Sequence, residues 1–317
     1  MTATLIEVES LSKRFGLIQA VDSVSFNVQR GEVLGFLGPN GAGKSTTMRM
    51  ITGFLSPTSG TVRLCGHDVS ENGLLARKNL GYLPEGAPLY GDMNPLEFLR
   101  FTASVRGVEK ESASKGIAKV VEQLGLGPVL GQPIDTLSKG FKRRVGLAQA
   151  VLHDPDVLIL DEPTDGLDPN QKREVRGLIR DMAQAKAIII STHLLEEVDA
   201  VCTRAMLINK GKIVVDCTPD DLAARSRYRN AITLRASIDT GDDLRITLKS
   251  IPGVSSVEVF NGDDGLDRWI VFPEQGKLMV SEVTRQLQDK GWGIDELRVD
   301  SGRLDDVFRD LTIEGGR

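Results

Sequence analysis

Eight consecutive residues, Gly38-Pro39-Asn40-Gly41-Ala42-Gly43-Lys44-Ser45, fit the pattern G-x-x-x-x-G-K-[ST] and constrain this chain more than any other stretch. They follow an apolar run at 33–37 that reads as a buried strand, and they open into 45–51, which reads as a helix. The glycines allow backbone N–H groups to wrap a phosphate chain without Cβ clashes. The helix N-terminus adds partial positive charge at the same place. A phosphate-binding loop is therefore predicted. Its candidate ligating residues are Gly38, Pro39, Asn40, Gly41, Ala42, Gly43, Lys44, Ser45 and Thr46. Lys44 is expected to reach the β- and γ-phosphates, and the Ser45 hydroxyl to ligate Mg²⁺.

At 317 residues the chain is long enough for two domains and a large core. A net charge of -5 disfavours a nucleic-acid partner on bulk electrostatics. Three cysteines, Cys65, Cys202 and Cys217, are too few for a disulfide framework and point to a reducing compartment. They read as small buried apolar residues, and none has zinc-ligand spacing. The N-terminus lacks the basic-then-apolar order of a secretion signal. No window approaches the ~20 apolar residues that span a bilayer. A soluble chain, or one peripheral to a membrane through another chain, is expected.

Residues 5–9 and 24–28 read as strands before the loop, and 61–64 as a strand after its helix. From about Glu85 to Leu152 the texture becomes helical. Asn94-Pro95-Leu96-Glu97 has Asn as N-cap, Pro at the first helical position and Glu at the third. The α/β pattern then resumes, with strands at 157–160 and 187–191, helices at 169–184 and 194–201, and a hairpin over 205–216. A charged, non-periodic stretch at 225–230 reads as a linker. Beyond it the order is strand, helix, two strands, helix, strand and a terminal helix, a split βαβ arrangement.

The strand at 157–160 ends in Asp161-Glu162. Delivered beside the phosphate loop, Asp161 would hold Mg²⁺ through water and Glu162 would polarise the water that attacks the γ-phosphate. His193 follows the strand at 187–191 and is expected at that strand's carboxyl end, where ligands bind in α/β sheets. His67 and His153 have no such placement and read as structural or solvated. In the tail, Asp263-Asp264 and Asp305-Asp306 are acidic pairs capable of attracting a metal, but such pairs at turns and helix starts are usually solvated.

These elements recur with Leu137-Ser138-Lys139-Gly140-Phe141 upstream of the Asp161 strand, Gly166-Leu167-Asp168-Pro169 just after it, and Ser191-Thr192-His193 at the end of the next strand. In this order and spacing the chain resembles the nucleotide-binding subunit of ATP-binding-cassette (ABC) transporters over roughly residues 4–225. The resemblance implies an α/β fold: a P-loop cassette with a RecA-like core, a helical subdomain at about 86–152 and an antiparallel β subdomain, within a domain at 1–228. A small α+β ferredoxin-like domain at 229–317 is expected to follow. The resemblance also implies that Phe15 stacks on adenine and that Ser138 and Gly140 contact the γ-phosphate held by a second subunit. Asp168 would communicate across the dimer, and His193 would contact the γ-phosphate and orient the attack. Glu162, His193 and Lys44 are the candidate catalytic residues, ATP and Mg²⁺ the cofactors, and Ser45, Asp161 and Glu85 the candidate metal ligands.

Two departures from the family pattern stand out. Lys139 and Phe141 replace the glycine and glutamine of the usual Leu-Ser-Gly-Gly-Gln, while Ser138 and Gly140 remain. Glu85 stands where the family places a glutamine that contacts Mg²⁺ or water and couples the site to the membrane subunit. Both, with the run 145–150, resemble the ATPases of type-2 ABC exporters, the gliding-motility and multidrug-resistance group with a C-terminal extension. The expected function is ATP hydrolysis that powers transmembrane permease subunits on separate chains, through a homodimer or heterodimer of ATPase subunits. The expected location is cytoplasmic, peripheral on the inner face of the membrane. A mechanical or signalling complex is the alternative reading. An ABC ATPase acting on ribosomes or DNA is a third, disfavoured by the single cassette and acidic charge.

Overall fold

The computed structural model describes residues 3–237, 241–262 and 265–314, and the chain divides into two compact units after Pro219. The first unit opens on two twelve-residue strands, β1 (Thr4–Phe15) and β2 (Ile18–Gln29), paired antiparallel. Both run well past the stretches at 5–9 and 24–28 that alternation marks. Register shifts, such as the one between Val8 and Leu11, break the two-residue period that a sequence reading follows. Next comes β3 (Val33–Leu37), buried at every position, which feeds through the glycine-rich loop into α1 (Lys44–Ile51). β4 (Ser59–Leu64) and the two-residue β5 (His67–Asp68) complete a four-stranded antiparallel sheet in the order β2-β1-β4-β5.

A short helix, α2 (Gly73–Lys78), leads to β6 (Leu80–Leu83). The helical segment follows as α3 (Pro95–Val105), α4 (Lys110–Gln123) and α5 (Lys139–Val151). Asn94 caps α3 in a reciprocal box. Its Oδ1 accepts from Glu97 N at 2.9 Å, and Glu97 Oε2 accepts from Asn94 N at 3.1 Å. Then come β7 (Val157–Asp161), α6 (Pro169–Ala183), β8 (Ala187–Thr192), α7 (Leu195–Val201), β9 (Arg204–Asn209) and β10 (Lys212–Cys217).

These strands form a six-stranded sheet in the order β10-β9-β3-β8-β7-β6, parallel except for the β9–β10 pair. Its two faces bury alternate residues. Leu158, Leu160, Ile188 and Ile190 pack toward α3–α6, while Val157, Ile159, Ile189, Phe36 and Met206 pack toward β1, β2 and α1. Near-continuous apolar strands are the sequence mark of a parallel sheet covered on both sides.

The second unit begins within α8 (Pro219–Ala224), nine residues before the boundary expected at 228, counting 219 to 228. The stretch 225–230 is packed, not free. Ser226 is 5% exposed and its Oγ accepts from Arg303 N at 3.0 Å. The Tyr228 ring meets Phe272 edge-on at 5.2 Å and lies under the guanidinium of Arg303 at 3.7 Å. Cation–π and turn contacts leave no periodic trace, so the linker reading does not hold. After it come β11 (Ile232–Ser237), α9 (Gly241–Ser250), β12 (Val254–Asn261), β13 (Asp267–Pro273), α10 (Val280–Asp289), β14 (Gly293–Val299) and α11 (Leu304–Glu314). The sheet is antiparallel in the order β12-β13-β11-β14, the split βαβ topology. Leu244, Leu248, Val283 and Leu287 from its two crossover helices share a core with Ile232, Leu234, Trp269 and Val271. The pair Asp263-Asp264 lies outside the described residues. Asp306 bonds Arg309 at 2.7 Å, and no group of three metal-ligating side chains occurs among the described residues.

No disulfide forms among the described residues, the three cysteines are half-buried where full burial is expected, and burial pushes Cys202 up to about 12, which suits a packing residue. His153 sets its Nε2 3.1 Å from the Leu80 carbonyl oxygen, and burial lowers its pKa from 6.5 to about 4. A neutral His held this way contributes stability that is full above pH 6.5 and is lost as pH falls toward about 4. His153→Gln is therefore expected to flatten the acid limb of a melting-temperature profile over that window. An unchanged limb would contradict the assignment.

Candidate nucleotide site

Parallel pairing brings the candidate residues together. Leu37 is level with Thr192, Asp161 with Ser191, and Leu83 with Leu160. The segments leaving β3, β7, β8 and β6 thus emerge side by side at one sheet edge. They carry the glycine-rich loop, Asp161-Glu162, His193 and Pro84-Glu85 respectively.

The loop is shaped by its glycines. Gly43 caps α1 with φ of 111°, and an added Cβ would lie 2.6 Å from the Ala20 carbonyl oxygen. Lys44 is 8% exposed and folds back over the loop, its Nζ donating to Gly38 O at 2.6 Å and Pro39 O at 3.1 Å. Burial lowers the Lys44 pKa, and the carboxylates of Glu162, Asp161 and Glu85 oppose that shift. Burial likewise raises the pKa of Asp161, which is 3% exposed. Ser45 and Thr46 follow on the first turn of α1, both half-buried.

Just past β7, Glu162 adopts φ of 52°, left-handed backbone that is uncommon for a non-glycine residue. Its N–H donates to Ser191 O at 2.8 Å, and its Oε1 sits 2.8 Å from His193 Nδ1. The left-handed turn swings the side chain out of the ladder and toward the histidine on the neighbouring strand's extension. Arg143, on α5 and 6% exposed, donates through one guanidinium nitrogen to the carbonyl oxygens of Asp161 and Glu162. Its other terminal nitrogen donates to Pro84 O at 3.0 Å. Nothing in the sequence alone singles out Arg143. Its signal, one of three consecutive cations, looks like a solvated helix face.

Phe15, Thr46 and Glu85 line one cleft of about 540 Å³ with Arg49, Tyr82 and Pro88. Phe15 is 48% exposed, and the Lys13 ammonium lies 5.2 Å from its ring centre. Ser138 and Gly140 stand apart from this group. Ser138 is the N-cap of α5, its Oγ accepting from Phe141 N at 3.3 Å. No hydrogen bond joins it to the Lys44 loop, Asp161 or His193 among the described residues. An added Cβ at Gly140 would lie 2.8 Å from Gln171 Oε1 on α6. Asp168 caps α6, its Oδ1 accepting from the N–H groups of Asn170 and Gln171, both at 2.9 Å.

Residues 21–165 match a family described as ABC transporter. The chain is 40% identical over 306 residues to the uncharacterized ABC transporter ATP-binding protein YxlF of Bacillus subtilis (strain 168), covering 96% of this chain and 98% of that one. The chain belongs to the ABC transporter family of ATP-binding proteins. That family hydrolyses ATP. This ABC protein is also 42% identical over 224 residues to the probable multidrug ABC transporter ATP-binding protein YbhF of Escherichia coli (strain K12). That match takes in 70% of this chain but spans 39% of YbhF. Among solved structures, an ATP-binding subunit of an ABC transporter superposes with a TM-score of 0.65 at 29% identity, over 69% of this chain and 91% of that one. The P-loop cassette fold expected from the motifs is thereby established.

The loop conformation makes a direct prediction. Gly43→Ala must abandon φ of 111° and the approach to Ala20, and we expect nucleotide affinity to fall at least tenfold, about 1.4 kcal/mol. Titration with a fluorescent nucleotide measures it. Affinity within threefold of the unaltered protein would contradict the role given to the loop.

Proposed function

We propose that this ABC protein hydrolyses ATP at the β3–β8–β7–β6 edge, as one of two subunits that close on the nucleotide and drive a separate transmembrane permease. The observation that carries the proposal is the contact of Glu162 with His193, 2.8 Å apart at the strand ends beside the Lys44 loop. Backbone N–H groups of Gly38 and Asn40–Gly43 and the α1 N-terminus would hold the phosphates, and Lys44 would turn from the loop carbonyls onto the β- and γ-oxygens. Phe15, on the cleft shared with Thr46 and Glu85, would stack on the adenine. Glu162 would orient the attacking water, and His193 would hold both Glu162 and the γ-phosphate in line.

The donor set suits Mg²⁺. Three carboxylates, Glu162, Asp161 and Glu85, act on the single ammonium of Lys44, so a triphosphate placed there needs a further cation. The Ser45 hydroxyl, Asp161 and Glu85 offer hard oxygen donors for it. The ion, when bound, neutralises charge on the β- and γ-phosphates. Ser138 and Gly140, which among the described residues make no side-chain hydrogen bond to their own chain's loop, would complete the site of a second subunit, with Asp168 at the seam between the two. ATP-driven closure would move the permease and hydrolysis would reset it.

The likeness to a relative named for multidrug transport supports an exporter. Among the described residues no helix is long and apolar enough to cross a membrane, which supports a peripheral subunit that depends on the permease for its place on the inner face. The 39% span of that relative makes substrate and partner part of this proposal.

Glu162→Gln is expected to abolish turnover, keep ATP binding and trap a dimer visible by sedimentation. Turnover within tenfold of the unaltered protein would defeat the proposal. Glu85→Gln is expected to keep basal hydrolysis within about tenfold, or about 1.4 kcal/mol. Complete loss would mean that the carboxylate itself is needed.

A further inference from the structure

We infer that Arg143 is a positioning residue for hydrolysis, pinning the Glu162 turn and the Pro84-Glu85 turn to the helix that begins with Ser138. The inference rests on the ATPase reading above and extends it to a residue outside the motifs. Arg143 lies on α5, five residues after the Ser138 cap. Its guanidinium reaches the carbonyl oxygens of Asp161, Glu162 and Pro84, so one cation holds the segments leaving β7 and β6 at once.

The neighbouring cations do different work. Lys142 Nζ donates to Asp135 O at 3.0 Å. Arg144 donates to Leu124 O at 3.1 Å and pairs with Glu174 at 3.0 Å, tying α5 to the end of α4 and to α6. Arg143 alone of the three turns to the strand ends. Burial lowers its pKa, opposed by the carboxylates of Asp161, Asp165, Glu162 and Glu85, so a buried charge here has compensating neighbours.

Glu162 explains why a strut is needed. At φ of 52° its backbone is held in a sparsely populated region, which costs on the order of 1 kcal/mol or more unless surroundings enforce it. The conformation withdraws the Glu162 carbonyl from the sheet ladder. That oxygen accepts a turn bond from Asp165 N at 3.2 Å, and the guanidinium adds a charged donor to it and to the preceding carbonyl, which favours the observed turn over relaxation. Relaxation toward the β region would carry the carboxylate away from His193, and small misplacements of a catalytic group cost large factors in rate. The same guanidinium holds Pro84 O, next to Glu85. The α5 N-terminus carries Ser138, which the proposed dimer presents to the other subunit's nucleotide. Arg143 thus links the turn serving one site to the motif serving the other.

The test is steady-state hydrolysis by the full chain with Arg143→Met, Arg143→Gln and Arg143→Lys, alongside binding of a fluorescent ATP analogue. We expect Arg143→Met to lower kcat at least tenfold while KM for ATP and analogue affinity stay within threefold. Arg143→Lys, which keeps the charge, should recover most of kcat. Should Arg143→Met fail to fold, Arg143→Gln reports the same split between kcat and KM. A kcat within threefold of the unaltered protein overturns the inference. So does a loss that falls equally on kcat and nucleotide affinity, or one that Arg143→Lys does not relieve. Absence of hydrolysis in the unaltered protein overturns the ATPase reading and this inference with it. Hydrolysis there with an indifferent Arg143 variant overturns the inference alone.

Discussion

The parallel register of four strands is the constraint on which the site depends. Val33–Leu37, Ala187–Thr192, Val157–Asp161 and Leu80–Leu83 are buried on both faces and run in step. Their following residues therefore arrive together, although the loop, Glu85, Glu162 and His193 are widely separated in sequence. A slip of one residue in β7 would turn Asp161 to the opposite face and break the approach of Glu162 to His193. The apolar cores on either side of the sheet set that register, so packing distant from the nucleotide fixes the geometry near it.

Onto this rigid edge the chain adds backbone that is held away from its ordinary preferences. Gly43 and Glu162 both have positive φ, one at the glycine-rich loop and one at the turn after β7. The first is free for glycine. The second is not free for glutamate, and it is stabilised by Arg143 and by the ladder bond to Ser191. Charge follows the same plan. A buried ammonium interacts with three carboxylates, so phosphates entering there add negative charge that a divalent cation would partly offset.

Much of this was legible in the residues, for physical reasons. Strands buried on both faces read as unbroken apolar runs, which is why β3, β7 and β8 stand out. The helix starts at Asn94 and Asp168 carry their capping chemistry in the sequence. Bulges spoil the alternation of the β1–β2 hairpin and hide its full length, and β6, four residues before a proline, is too short to show a pattern. The contact of Glu162 with His193 spans 31 residues and exists only through strand register, so the sequence places each residue at a strand end without showing that they meet. Arg143 and the packed stretch at 225–230 act through long-range contacts of individual side chains, and these leave no repeat to detect.

The central claim is that each nucleotide site is built from two chains. Complementation between two inactive variants tests it most directly. Lys44→Ala protein retains Ser138, and Ser138→Arg protein retains Lys44, so a mixed dimer holds one site with both groups intact. Each variant alone should be inactive, and an equal mixture should recover about one quarter of the unaltered ATPase activity, since half the dimers are mixed and each has one good site of two. A mixture as inactive as its components, or full activity of Ser138→Arg protein by itself, would contradict a shared site.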